Sequence, residues 1–385
     1  MSAPVAVVVG FAGKWPLAGL MLYNLHYLAG LAELGYEVHY VERQNGPHDY
    51  YDPRSDELTE DVTHGLAGLE AVMPEAGIGP GRFSLVDLEG ECHGAGWEAL
   101  RSALDRARFV LTLADPTWFD ELERCPRRAF VDGDPLFTQA AMLGGDAAHR
   151  ALDRYDALFT YATRMGESDC EVPDAGRRWV STRPVVATRL WDASPPPAAG
   201  QAPITTVMNW SASADVRLGG DVYGHKGREL ERLIDLPART GRCFVLAAGG
   251  PAPRERLRAD GWQLENPLEV TGTLAAYRDF IASSHADLGV AKHAYVASAS
   301  GWFSDRSTCY LGSGRPVLHQ ETGFSEWLPT GEGVFAFSSV DDVADALERI
   351  DRDYERHAAA ARAIAEEHFE ARTVIAGMLE EVGFA

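Results

Sequence analysis

The stretch that decides the fold is VAVVVGFAGKWPLAGLMLYNLHYLAGLAELGYEVHYVE, residues 5–42. Its opening run of valine and alanine at 5–9 is typical of a strand buried on both faces. A glycine-containing loop follows, and leucines then recur at helical spacing over 20–34, with Gly35 placed to cap the helix. Residues 38–41 predict a second strand. The order strand, helix, strand indicates a parallel βαβ unit.

The rest of the chain continues this alternation. In the N-terminal half, strands are predicted at 109–113, 129–131 and 158–160, and helices at 97–106 and 135–143. A linker is predicted at 185–200, where three prolines occupy 195–197. Beyond it, strands are predicted at 204–208, 243–248, 287–290 and 316–318, and helices at 224–233, 274–283, 307–313, 340–352 and 354–368.

This pattern predicts an α/β fold of two Rossmann-like, doubly wound domains that face each other across a cleft. We expect the domains at residues 1–190 and 201–368, with a C-terminal helix at about 369–385 that packs back on the first domain. Residues 44–96 are irregular and rich in glycine, proline and acidic residues. They are either an insertion that shapes a substrate pocket or a long surface excursion.

Composition excludes several classes of partner. The net charge of −22 disfavours a nucleic-acid partner and an anionic membrane surface, both of which select basic faces. No apolar run approaches the ~20 residues needed to cross a bilayer, and residues 1–9 lack the features of a signal peptide, so we expect a cytoplasmic protein. Five widely spaced cysteines predict reduced thiols, with no disulfide framework and no structural metal.

Lysine is rare in this chain. Of 35 basic residues only Lys14, Lys226 and Lys292 are lysines, and all three fall in glycine-containing or strand-end segments. Codon bias toward arginine explains the scarcity. The compact ammonium group of a lysine that survives such bias is a candidate ligand for a phosphate.

Candidate site residues follow the predicted strands, because ligands of open α/β sheets bind beyond the carboxyl ends of strands. Each of these loops could also be an ordinary turn. Three segments supply the candidate donor-binding residues: Gly13 and Lys14 in the first loop; Asn209, Ser211, Ser213 and Lys226 around the loop Tyr-Gly-His-Lys-Gly-Arg at 223–228; and Lys292, His293, Ser304, Asp305, Arg306, Thr322 and Gly323 at three later strand ends.

The order of these motifs resembles GT-B glycosyltransferases, in particular the GT4-like, glycosyltransferase family 1 group. The resemblance rests on Lys226-Gly227, on the Gly-Arg-Pro-Val turn at 314–317, and on the opening that ends in Leu-Ala-Glu-Leu-Gly-Tyr-Glu-Val at 31–38. It implies a nucleotide-sugar donor bound by the second domain and an acceptor on the first. Cys309 and Lys292 stand where that group usually has acids, and Asp305 is the candidate substitute for ribose recognition.

Two acids in the segment Val-Asp-Gly-Asp-Pro at 131–135, Asp132 and Asp134, are candidate catalytic groups. Asp-x-Asp is also the metal signature of a different fold, GT-A, which the two-half pattern disfavours. Asp132 or Asp134 would be the base of an inverting transfer. In a retaining transfer, a donor phosphate oxygen would take the acceptor proton. Asp115 and His26 are further candidates.

We therefore expect a glycosyltransferase that needs no metal or other cofactor, with Lys226 and helix N-termini stabilising the phosphate leaving group. Its predicted partners are a UDP-, dTDP- or GDP-sugar and a soluble saccharide or small metabolite, without nucleic acid or membrane; a homodimer is compatible with this interpretation. The alternatives are an epimerase of the same fold, which would use Asp132 and Asp134 as paired acids, and a non-catalytic nucleotide-sugar-binding helper.

Overall fold

The computed structural model describes residues 3–193 and 202–385. The prolines at 195–197 of the predicted linker lie outside the described residues. The N-terminal half contains ten strands: β1 (Val5–Val9), β2 (Glu37–Arg43), β3 (Tyr50–Asp52), β4 (Glu57–Thr59), β5 (Phe83–Val86), β6 (Cys92–Gly94), β7 (Ala107–Leu113), β8 (Arg128–Asp132), β9 (Ala157–Thr160) and β10 (Val180–Ser181). Its helices are α1 (Ala18–Glu33), α2 (Thr63–Val72), α3 (Gly96–Arg106) and α4 (Phe137–Leu143).

The C-terminal half contains eight strands: β11 (Ile204–Asn209), β12 (Val216–Leu218), β13 (Asp221–Tyr223), β14 (Phe244–Gly249), β15 (Gln263–Glu265), β16 (Ala286–Gly289), β17 (Val317–Gln320) and β18 (Val334–Phe337). Its helices are α5 (Lys226–Leu230), α6 (Leu236–Thr240), α7 (Arg254–Ala259), α8 (Pro267–Thr271), α9 (Leu274–Ser283), α10 (His293–Ala297), α11 (Asp305–Gly312), α12 (Val340–Arg352), α13 (Tyr354–Ile364) and α14 (Ala371–Glu381).

Two parallel sheets organise the described chain. The first has the order β10-β9-β8-β7-β1-β2-β5-β6, in which only β6 runs antiparallel to its neighbour. The second has the order β15-β14-β11-β16-β17-β18 and is wholly parallel. This is the strand order of a Rossmann sheet, with its first strand in the middle. Each sheet therefore has a switch point, between β1 and β7 and between β11 and β16, where a crevice opens at the carboxyl ends.

The burial of the central strands and of helix α1 explains why the apolar pattern of the sequence predicted these elements. All five residues of β1 are buried, as are all four of β16, which is what helices on both faces of a parallel sheet require. Helix α1 is buried along residues 21–31 on every side, because α14 packs on the face turned away from the sheet. Gly30 permits this contact: a Cβ there would lie 2.8 Å from the Cβ of Ala371.

Differences from the predicted elements are local. Residues 221–223 form β13, and α5 begins only at Lys226. The helix predicted at 354–368 is α-helical only as far as Ile364 and ends in a π-helical turn at Ala365–Phe369. Residues 44–96, which the sequence left open, contain the β3–β4 hairpin, α2 and an extension of the first sheet. No helix among the described residues is long and apolar enough to span a bilayer.

Candidate active site

A cleft of about 1520 Å³ separates the carboxyl ends of the two sheets. The loops after β1, β7 and β8 and the β3–β4 hairpin form one wall, which includes Phe11, Lys14, Trp15, Asp49, Tyr51, Asp56, Asp115, Asp134 and Phe137. The ends of β11 and β14 and the segment around α7 and α8 form the other, which includes Asn209, Ser211, Gly249, Gly250, Arg254, Arg258, Asn266 and Glu269. Because the hairpin contributes to the first wall, the segment 44–96 does shape the pocket.

The glycine loop after β1 does not offer its backbone to an anion. The backbone N–H groups of residues 11–14 all donate to side chains of the same half, those of Asn24, Tyr40 and Glu42. The amide of Gly13 donates to Glu42 Oε1 at 2.7 Å. Burial raises the pKa of the Glu42 carboxyl, while these donors oppose the rise. Donor binding by Gly13 stays a prediction, and the Glu42 carboxyl group already accepts the backbone N–H groups of Gly13 and Lys14.

The ammonium group of Lys14 forms ion pairs with two carboxylates whose residues are distant in the sequence. It is 1% exposed, and its Nζ lies 2.9 Å from Asp49 and 2.8 Å from Asp115. Burial alone would lower the pKa of the Lys14 ammonium, but the two carboxylates outweigh it and the pKa is raised. Lys14 reaches the cleft wall as the centre of an ion-pair network. Its role as a phosphate ligand stays a prediction, and a phosphate at Lys14 would compete with Asp49 and Asp115.

Asp132 is a structural residue. Its carboxylate is 0% exposed and accepts hydrogen bonds from Thr138 Oγ1, Gln139 Nε2 and Thr160 Oγ1, at 2.7 to 2.9 Å. The backbone N–H of Asp134 donates to it as well. Burial raises the pKa of the Asp132 carboxyl, against the lowering effect of these donors. The predicted base is thus sealed from the cleft, and the epimerase hypothesis loses one of its two acids.

Asp134 lines the cleft but is held by the opposite half. Lys292 Nζ lies 2.7 and 2.6 Å from its two carboxylate oxygens, and the Tyr295 hydroxyl also donates to it. The same ammonium sits 4.4 Å from the ring centroid of Phe137. This three-residue contact, which we call the clasp (Asp134, Lys292 and Tyr295), joins the two halves. Lys292 as a phosphate ligand and Asp134 as a base stay predictions, and in this structure the two side chains are paired with each other.

Of the three lysines, Lys226 is the one that no described carboxylate pairs with. Its Nζ forms no hydrogen bond or ion pair with any described residue and lies 5.9 Å from the ring centroid of Trp302. Burial lowers the pKa of the ammonium from 10.5 to about 7, and the positive charges of Arg306 and Lys292 contribute, while Asp305 opposes them. Lys226 is partly buried, lies near Lys292 of the clasp and is not among the residues that line the cleft.

Helix α11 begins next to this cation. Ser304 at its N-cap is 1% exposed, and its side chain caps none of the first-turn N–H groups; its own N–H donates to His319. The Asp305 carboxylate makes no hydrogen bond with the described residues. The guanidinium of Arg306 donates hydrogen bonds to two strands of the second sheet. Its Nε lies 3.2 Å from Asp287 Oδ1, and its Nη1 lies 2.9 Å from the Val207 carbonyl oxygen. Arg306 as a donor ligand stays a prediction, and in this structure its guanidinium is paired with the buried Asp287.

Other predicted ligands are used internally. His293 Nδ1 accepts the Gly224 N–H, and the Thr322 hydroxyl donates to the Trp302 carbonyl at 2.6 Å. The Gly323 N–H donates to Glu321 Oε1 at 2.6 Å. His293, Thr322 and Gly323 were predicted to contact the donor. In the structure each of them makes a hydrogen bond within the protein instead.

The remaining candidates divide between the cleft and the interior. Asn209 and Ser211 line the cleft, and Ser213 is exposed beside His225. Of the two further candidates, Asp115 lines the cleft. His26 is buried between the Val185 carbonyl and the Trp191 indole, and burial lowers its pKa to about 3, so it stays neutral.

Several cleft residues were missed by the sequence analysis. Gly249 is the last residue of β14 and Gly250 follows it, and Arg254 and Arg258 lie on the next helix. The paired glycines after a predicted strand were the available signal, since a strand end at the switch point is where a ligand binds. Arg254 and Arg258 carried no such signal, because arginine is abundant everywhere in this chain.

The comparisons with known proteins agree with this architecture. Residues 228–380 match a family model described as glycosyl transferase-like. No curated protein matches the chain. The fold resembles an α-glucosyltransferase in complex with UDP (10% identity, TM-score 0.58, covering 99% of this chain and 100% of that one) and Anabaena HepE in complex with UDP-glucose (13% identity, TM-score 0.56, 99% of each chain). An α-glucosyltransferase bound to UDP-glucose and DNA with an abasic site matches similarly (10% identity, TM-score 0.57, 99% of each chain).

The predicted fold and class are thereby confirmed. The matches over nearly the whole chain show the GT-B fold, and the family model over the C-terminal half shows the glycosyltransferase class. The chain therefore has the GT-B fold, and its residues 228–380 are glycosyl transferase-like.

Proposed function

We propose that this enzyme transfers a sugar from a UDP-sugar to a hydroxyl group of a soluble small molecule or saccharide. Two fold relatives that were crystallised with UDP or UDP-glucose favour uridine over the other predicted nucleotides. One relative also binds DNA. The net charge of −22 disfavours that acceptor here, because phosphate backbones are held by basic surfaces.

The observation that carries the proposal is the unpaired ammonium of Lys226. A lysine whose pKa is held near 7 by burial and by neighbouring cations gains most from an anion placed beside it. A diphosphate that entered the cleft next to Asp134 would lie close to Lys226 and to the uncapped N-terminus of α11. Asp305, in the first turn of that helix, remains our candidate for the ribose hydroxyls.

In the proposed transfer, the acceptor oxygen forms a bond to the anomeric carbon of the donor sugar, and the bond from that carbon to the phosphate oxygen breaks. UDP leaves with the bonding electron pair. Lys226 and the α11 amides stabilise the charge that develops on the phosphate, which would make a metal unnecessary. The acceptor hydroxyl loses its proton in the same step.

The destination of that proton favours retention of configuration. Asp132 is sealed in the interior, and the carboxylate of Asp134 accepts hydrogen bonds from Lys292 Nζ and the Tyr295 hydroxyl. With neither acid free to act as the base, we propose that a phosphate oxygen of the leaving UDP accepts the proton. The NMR coupling constant of the product's anomeric proton tests this: an inverted product would require a side-chain base and would overturn the proposal for Asp132 and Asp134.

The donor is tested by binding and turnover in EDTA-treated enzyme. Bound UDP-glucose should raise the melting temperature, and dTDP-, GDP- and ADP-sugars should do so less. The variant Lys226→Met should lose the effect, and Arg228→Met is the matched control because Arg228 is an exposed cation on the same helix. Equal binding by wild type and Lys226→Met would contradict the site. Binding without turnover on any acceptor would favour the helper protein, and conversion of the donor sugar without acceptor would favour the epimerase.

The domain limits 1–190 and 201–368 and the homodimer stand as proposals beside this one. Limited proteolysis that cleaves within 191–200 and releases two folded fragments would support the limits, and light scattering at micromolar concentration would determine the oligomeric state.

A further inference from the structure

The acceptor side of the cleft has an aromatic surface. Trp15 is 36% exposed, although it lies in the wall of a deep cavity, and it stacks on Tyr51 with ring centroids 5.5 Å apart and planes inclined by 21°. The backbone bond from Tyr51 N–H to the Lys14 carbonyl, 2.8 Å, fixes the hairpin against the loop that carries Trp15. A large ring held open toward a polar cavity is a platform for the apolar face of another ring.

The same wall carries an excess of negative charge. Asp49 and Asp115 share one cation, the buried Lys14. Asp56 accepts the Tyr51 hydroxyl at 2.7 Å and is paired with no cation among the described residues. Asp134 of the same wall is paired with Lys292, so the ammonium of Lys14 against the three other carboxylates leaves a net charge of −2. An aromatic face next to uncompensated carboxylates is attractive to a cation on both counts.

The opposite wall differs in charge. Arg254 and Arg258 line it beside the glycines at the end of β14, and their charges balance those of Glu265 and Glu269. The cleft is therefore asymmetric, with its excess negative charge confined to the hairpin side. An anionic acceptor on the hairpin side would be repelled, and a neutral one would leave the excess charge uncompensated.

We propose that the acceptor is an amine-bearing, hydroxyl-rich ring, such as an amino sugar or an aminocyclitol. Its apolar ring face stacks on Trp15, and its ammonium faces Asp56 and Asp115. A ring hydroxyl, not the amine, attacks the donor sugar, so the amine acts in recognition alone. This inference rests on the proposed glycosyl transfer and names the substrate class of the same cleft.

The first test measures binding with UDP saturating, after UDP binding itself has been established by calorimetry. The probes are the β-1,4-linked glucosamine disaccharide, its N-acetylated form and cellobiose, which share a ring skeleton; only the first carries ammonium groups. The free-amine form should bind at least about fivefold more tightly, and the preference should shrink in high salt. Equal or tighter binding of the neutral forms, or no binding of any of them, would overturn the proposal.

The second test uses a matched pair of variants in the hairpin. Asp56→Asn removes one charge from the cleft and keeps a residue that tolerates the left-handed backbone at this position, where φ is 58°. Glu57→Gln makes the same charge change on the next residue, which is exposed outside the cleft. Asp56→Asn should reduce the preference for the amine about two- to fivefold, and Glu57→Gln should leave it unchanged. Identical behaviour of the two variants would refute the assignment.

These outcomes separate the two proposals. If UDP and UDP-glucose fail to bind, the proposed function fails first. If they bind and the enzyme shows no preference for the amine, only the acceptor inference fails. Melting temperatures measured for both hairpin variants distinguish a lost contact from a lost fold.

Discussion

Replacing Lys226 with methionine should stabilise the free enzyme and abolish donor binding. The pKa of this ammonium falls from 10.5 to about 7 on folding. A shift of this size corresponds to about 5 kcal/mol of unfavourable free energy in the protonated folded state. Partial exposure lets water relieve some of that cost, so we expect Lys226→Met to gain about 2 to 3 kcal/mol at pH 7. Methionine keeps the length of the side chain and removes its charge.

The sign of the pH dependence follows from the same shift. The unfolded chain binds a proton at Lys226 up to pH 10.5, whereas the folded protein releases it near 7. The penalty is therefore complete below pH 7 and is relieved as the pH rises from 7 to 10.5, so the wild type gains stability over that window. Lys226→Met should lack this component of the gain. Chemical denaturation at pH 6, 7, 8 and 9 measures both effects.

Donor binding should depend on pH in the opposite sense. If phosphate keeps Lys226 protonated, UDP-glucose binds the protonated enzyme, and its affinity should fall about tenfold between pH 6 and pH 8. About half a proton should be taken up per donor bound at pH 7, which calorimetry in buffers of different ionisation enthalpy detects. UDP-glucose suits this test because its diphosphate does not titrate in that range.

Two variants make the test decisive. Lys226→Arg keeps a charge that no pH in the range removes, so it should retain binding and lose the pH dependence. Lys226→Met should lose both. If Lys226→Met destabilises the free enzyme, or binds UDP-glucose like the wild type with the same proton uptake, Lys226 is a structural residue and the donor assignment is wrong.

Three other predictions concern the fold around the site. Asp132→Ala should lower the free energy of unfolding by about 3 kcal/mol, because it leaves buried donors unpaired; a large fall in kcat at an unchanged melting temperature would instead restore Asp132 as the base. A double-mutant cycle of Asp134→Asn and Lys292→Met should give a coupling energy of about 1 kcal/mol in thermal or urea unfolding, and additive effects would contradict the clasp. Gly30→Leu should displace α14 and make the C-terminal helix protease-sensitive, since its Cβ would overlap Ala371; wild-type resistance would refute that packing.

The sequence predicted the fold because parallel strands leave a local signature. A strand such as 5–9 or 287–290 is covered on both faces, so it reads as an unbroken apolar run whatever its neighbours are. Short strands escaped prediction for the opposite reason. The β3–β4 and β12–β13 hairpins are mostly partly buried or exposed three-residue segments, and their existence depends on pairing with each other.

The candidate site was predictable only where a residue type decides the chemistry. The rarity of lysine drew attention to Lys14, Lys226 and Lys292 alike, and sequence position could not separate them. The ion-pair partners that each lysine meets in the folded protein distinguish the three. Asp49 and Asp115 meet Lys14, and Asp134 meets Lys292 across 158 residues of chain, while no described carboxylate pairs with Lys226.

By itself, then, the amino-acid sequence determined the α/β alternation, the two halves and the strand ends at which a ligand could bind, since these depend on the periodicity of apolar residues within short segments. Only the tertiary structure decided which polar groups face the cleft and which are consumed by the fold. The sequence suggested Asp132 and Arg306 as site residues, but in the structure Asp132 accepts hydrogen bonds from buried donors and Arg306 pairs with the buried Asp287. Trp15 and Asp56 were not candidates, and both line the cavity. The reason is physical: the charge state and availability of a side chain depend on partners brought within a few ångströms by folding, and those partners lie tens to hundreds of residues away in the sequence.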